Sequence, residues 1–72
     1  MSKYIEICET CQRDVHRVQT KRHKELLGYI KLNTDWNHFT FRPDPDTEFD
    51  FSCLLDISKY ALELDVKRAE TG

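Results

Sequence analysis

The segment from Ser52 to Glu70 constrains this chain more than any other. With about 100° of rotation per helical residue, Asp56, Lys59, Glu63, Lys67 and Glu70 fall on one narrow stripe, while Leu54, Leu55, Ile57, Ala61, Leu62, Leu64 and Val66 cover the remainder. Asp50 or Ser52 can cap its start, and the Lys59/Glu63 and Glu63/Lys67 pairs lie one turn apart, where opposite charges support a helix. A helix that is apolar over about two-thirds of its circumference asks for burial on more than one side. The whole chain has only 72 residues. Either hairpins wrap the helix or another chain covers it, and that chain could be a copy of this one.

The cover available within the chain is a set of short strands. Tyr4, Ile5 and Ile7 read as a strand running into Cys8-Glu9-Thr10-Cys11, and Val15 to Thr20 alternates well enough to return beside it. The segment Leu26 to Leu32 fits helix or strand; its Gly28 weakens a helix, and a strand from Gly28 to Asn33 is expected. Phe39-Thr40-Phe41 and Phe49-Asp50-Phe51 are mirror-like aromatic alternations separated by Pro43, Pro45 and several turn-forming acids. They predict a hairpin or a connecting loop with four rings on one face, and a core filled by those rings, Trp36 and the helix. The fold class expected is α+β, one domain over residues 1–72 with one or two β-hairpins packed on a single C-terminal helix.

A domain this small buries only about 60% of the surface its unfolded chain exposes, so its core is marginal and a metal, a disulfide or a partner often supplements it. The three cysteines therefore come next. No stretch is long and apolar enough to span a membrane, and MSKYIEICETC lacks the apolar core of a secretion signal, so a cytoplasmic address is expected. Thiols stay reduced there, and an odd count does not fill a disulfide framework. Cys8-x-x-Cys11 at a hairpin tip can present two thiolates to one tetrahedral ion, and Cys53 sits in the expected first helical turn, where the helix dipole favours a thiolate.

A Cys-x-x-Cys knuckle followed by strands and a ligand in the first turn of a helix resembles the small treble-clef zinc proteins, which are frequent among phage products. The resemblance implies zinc held by Cys8, Cys11 and Cys53. Those proteins take a Cys pair from the helix start, whereas this chain offers only Cys53 and leaves the fourth position to Asp50, Asp56, His38 or His16. A second arrangement, Cys8-x2-Cys11-x4-His16, resembles the first three ligands of the retroviral zinc knuckle, with His23 following after six residues. The alternative is that Cys8 and Cys53 are small core hydrophobes and Cys11 a surface thiol.

Charge is divided along the chain. Met1 to Lys31 carries seven Lys/Arg against four Asp/Glu, a net +3, and Leu32 to Gly72 carries four against nine, a net −5. Arg13, Arg17, Lys21, Arg22 and Lys24 form a basic stretch suited to phosphates, although no aromatic residue is interleaved to stack a base. Asp44, Asp46 and Glu48 form an acidic turn suited to a basic surface on a protein. There is no nucleophile elbow, no phosphate-cradling Gly-rich loop and no ordered catalytic triad. The expected role is therefore a non-enzymatic, zinc-stabilised protein-binding module that modulates or inhibits a larger protein. The alternatives are nucleic-acid binding through Arg13 to Lys24 and a homodimer paired through the helix.

Overall fold

The computed structural model describes residues 4–71. Four strands, β1 (Ile5–Glu9), β2 (Val15–Thr20), β3 (Leu26–Asn33) and β4 (His38–Pro43), precede one helix, α1 (Phe51–Thr71). The strands form an antiparallel sheet in the order β1-β2-β3-β4, each paired with its neighbours in sequence. The fold is α+β, as expected, with β3 extending two residues further toward the N-terminus than the expected Gly28.

Side chains alternate between the faces of a strand. Ile5 and Ile7, His16 and Val18, Ile30 and Leu32, and Phe39 and Phe41 all point to one face, where α1 lies closest to β4. The core is small: Ile5, Val18, Ile30, Phe39, Cys53 and Ile57 are its buried members, with Leu27, Tyr60, Ala61 and Leu64 packed against them. A register shift between Val18 and Gln19 lets Leu27, next to Gly28, join the inward side. Gly28 stands opposite Val18 and Pro43, and a Cβ there would lie 2.4 Å from the Arg42 carbonyl oxygen. β4 can approach β3 this closely because the residue is glycine.

The turns follow the chemistry of their residues. Asn33 Oδ1 accepts from the N–H groups of Asp35 (3.0 Å) and Trp36 (3.1 Å), and Asn37 then takes a left-handed φ of 59°. Arg68 Nη1 donates to Asn37 Oδ1 at 2.7 Å, which fastens the last helical turn to the β3–β4 turn. On the edge of β4, the Phe39 N–H donates to Asp65 Oδ1 at 2.9 Å, which ties the start of that strand to α1.

Three expectations need correction. Trp36 is not a core residue; it sits in the β3–β4 turn and is 69% exposed. Phe49-Asp50-Phe51 forms no strand, because Asp50 caps a helix whose first residue is Phe51. The four Phe rings do not share a face: Phe41 and Phe49 meet edge to face at 5.1 Å, whereas Phe51 points away and is 78% exposed.

Candidate functional site

The cysteines are separated by the sheet. Ile5 and Ile7 point toward the helix, so Glu6 and Cys8 point to the opposite, open face. Cys8 Sγ lies 3.6 Å from Glu6 Oε2, and desolvation together with this carboxylate pushes the thiol's pKa up. Cys11 is exposed in the β1–β2 turn. Cys53 is buried in the first turn of α1, on the other side of the sheet from Cys8. Its N–H donates to Asp50 Oδ1 at 2.9 Å, and that bond, with a second from Ser52 Oγ, holds the Asp50 carboxyl below its ordinary pKa.

The residues weighed as a fourth ligand are equally scattered. His16 is a core residue, 5% exposed, with Nδ1 2.9 Å from Tyr60 Oη and its ring edge-on to Phe39 and Tyr60. His38, at the exposed start of β4, lies 3.3 Å from Asp65 through Nδ1, and Asp56 is half-buried on α1. Among the described residues, no group of three or more His, Cys, Asp or Glu side chains is placed to hold a metal ion.

The basic stretch is also dispersed. Arg13 lies in the β1–β2 turn, while Lys21, Arg22 and Lys24 lie in the β2–β3 turn at the far end of β2. Six residues of strand separate these turns, about 20 Å at the usual rise. Lys24 is paired with Glu6, whose carboxyl that contact holds low, and Arg17 alone of the five projects from the middle of the sheet. In the β4–α1 connection, Asp44 is held by its N–H to the Leu27 carbonyl (2.8 Å), and its own carbonyl accepts from Thr47 Oγ1 (2.7 Å). Asp46 and Glu48 are exposed beside the start of α1.

The helix carries the most conspicuous surface. Its inner side is Cys53, Ile57, Tyr60, Ala61 and Leu64. On the outer side Phe51, Leu55, Leu62 and Val66 are 78, 56, 63 and 49% exposed. At helical periodicity these four fall within about 60° of one another along roughly 22 Å of axis. Leu54, 48% exposed, flanks them and leads into a cleft of about 450 Å³ between α1 and β4, floored by Phe39, Phe41 and Ala61. A single four-stranded sheet is only about 15 to 20 Å wide and covers one side of a helix, so the other side has no cover within the described residues. Helical periodicity marks this excess of apolar positions but not which of them face outward, and Phe51, which the aromatic alternation places in the core, lies on the outer side.

No family model matches the chain, and neither a curated protein nor a solved structure does. Among the described residues, no helix is long and apolar enough to cross a membrane.

Proposed function

We propose that this chain is a non-enzymatic protein-binding module that modulates or inhibits a larger protein, with the outward stripe of α1 as its docking surface. The observation that carries this reading is the alignment of Phe51, Leu55, Leu62 and Val66 on one exposed helical face. Large apolar side chains exposed in line on a small domain mark an interaction site. Burying each side chain in a partner would contribute about 1 to 2 kcal/mol, since each is already partly covered. The mode is a helix seated in an apolar groove. Asp46 and Glu48 at the N-terminal end of the stripe favour a groove whose rim is basic at that end.

The inhibitor role rests on the small, charge-divided domain with no catalytic constellation, and the resemblance to small treble-clef proteins adds a phage source and zinc to the same reading. Zinc, if part of that role, would draw on Cys8 and Cys11 and take its remaining ligands from elsewhere than Cys53, which faces the helix side of the sheet.

The test is affinity isolation from the source cells with the wild-type chain and with a Leu55→Asp/Leu62→Asp variant. Both positions are exposed, so the variant should keep its circular dichroism spectrum and lose the partner. Recovery of the same partner by the variant, or of none by the wild type, overturns the proposal. Sedimentation of the isolated chain addresses the homodimer reading: a dimer that the variant abolishes would assign the stripe to a second copy.

A further inference from the structure

The side of the sheet away from α1 bears a pattern that no single stretch of sequence contains. Cys8 pairs with Arg17, Arg17 with Tyr29, and Tyr29 with Arg42, so one straight row crosses all four strands with an aromatic ring between two guanidinium groups. Alternation sends Lys31 to the same face, and its Nζ stands 5.4 Å from the Tyr29 ring centroid. The only carboxylate that the strands place on this face is Glu6, and it is already engaged by Lys24 and Gln19. Arg17 gives two of its five N–H donors to Gln19 Oε1 and the Lys24 carbonyl, which fixes the side chain across the sheet and leaves three directed elsewhere. The Thr10–Gln12 turn, with Arg17, Tyr29 and Lys31, encloses a shallow cleft of about 380 Å³.

We infer that this open face is a binding platform for single-stranded nucleic acid, with Tyr29 stacking on a base and Arg17, Lys31 and Arg42 taking the adjacent phosphates. The charge argues for a polyanion, since three cations stand on one face of a chain whose net charge is −2. The central ring narrows the class. The carboxylates of an acidic peptide would engage the cations without calling for the ring, and a duplex keeps its bases stacked on each other, whereas an unpaired strand offers a base to an aromatic platform beside a basic groove. The Lys31 contact with the ring is a half-buried cation–π pair at the long distance of 5.4 Å, which can yield the ring face to a base while Lys31 moves to a phosphate. The site is distinct from the basic stretch expected from the sequence: of that stretch only Arg17 takes part, and Tyr29, Lys31 and Arg42 come from β3 and β4. It also lies on the other side of the molecule from the α1 stripe, so the two surfaces can be occupied together.

Fluorescence anisotropy with labelled oligouridine and oligothymidine of about twelve nucleotides tests this directly. With three phosphates neutralised, affinity should fall roughly twenty-fold between about 50 and 200 mM salt. Tyr29→Ala should weaken binding by at least about five-fold with Tyr29→Phe near wild type, and Arg17→Gln or Arg42→Gln should each flatten the salt dependence. These side chains are at the surface, and an unchanged thermal midpoint separates lost binding from lost folding. Leu55→Asp/Leu62→Asp should bind the oligonucleotides like wild type, so failure of the helix reading and failure of this one are distinguishable. No binding at the lower salt, or a Tyr29→Ala variant that binds as well as wild type, overturns the inference. Equal competition by polyglutamate also overturns it and assigns the face to an acidic protein.

Discussion

Gly28→Ala is the perturbation that the sheet should tolerate least. A Cβ at this position would lie 2.4 Å from the Arg42 carbonyl oxygen and 2.9 Å from both Phe41 Cε1 and Pro43 Cα. The Phe41 ring can turn aside, but the other two atoms are backbone of β4. Restoring an ordinary contact would move that strand by about 1 Å, disturbing the Phe41–Phe49 pair and the Phe39 N–H bond to Asp65. Overpacking a tight site costs about 1 to 3 kcal/mol, and with backbone as the obstacle the upper end, near 3 kcal/mol, is expected. The native state of a chain of this length is stable by roughly 4 to 10 kcal/mol, so the loss is a large share of the total. Thermal unfolding followed by circular dichroism should show a midpoint about 12 to 20 °C below wild type. A midpoint within about 3 °C would mean that β3 and β4 are not in this register.

Other consequences can be checked on the same protein. Tyr60→Phe deletes the hydroxyl that meets His16 Nδ1 in the core and should destabilise by about 1 to 2 kcal/mol in urea unfolding, whereas an unchanged midpoint would remove that bond from the account. Asp50 and Glu6 have carboxyls held below their ordinary pKa by the Cys53 N–H and by Lys24, respectively. Their stabilisation is therefore complete above the ordinary carboxylate range and is lost as pH falls from about 4 through the lowered values, so the thermal midpoint should drop there and drop less in Asp50→Asn. A midpoint independent of pH below about 4 would contradict this. Thiol labelling should find Cys11 first, Cys8 later because burial and Glu6 disfavour its thiolate, and Cys53 only on unfolding. Labelling of Cys11 that speeds up when a chelator is added would instead put a metal ion on that turn.

Much of the fold was legible because period and composition agree in the elements concerned. The helix stands out by its charged stripe, and the strands by alternation. The sidedness of the cysteines follows from the same alternation, although both the zinc reading and the core reading put Cys8 on the side of Cys53: once Ile5 and Ile7 face the core, Cys8 must face away from it, and the helix bearing Cys53 must lie on the core side. By the same alternation His16 follows Val18 inward, which makes it a core histidine before any metal is considered. Other features depend on quantities that a single segment does not encode. A helix apolar nearly all round does not say which side meets the sheet, so Phe51, Leu55, Leu62 and Val66 could not be separated from Ile57 and Leu64 by periodicity alone. The Arg17–Tyr29–Arg42 row depends on the register of three strands, set by turn lengths and by the irregularity between Val18 and Gln19. The basic stretch is continuous in sequence but not in space, because the expected strand Val15 to Thr20 already carries Arg13 and the Lys21–Lys24 turn to opposite ends of the sheet.

The central claim is that the outward face of α1 is a docking surface. It is tested most directly by titration calorimetry of the isolated partner against the wild-type chain and against Leu55→Asp/Leu62→Asp. Wild type should bind with a negative heat-capacity change, the mark of apolar burial, and the variant at least about a hundred-fold more weakly. Equal affinity for the two proteins would contradict the claim, and all the more so if Arg17→Gln or Arg42→Gln weakened the complex instead.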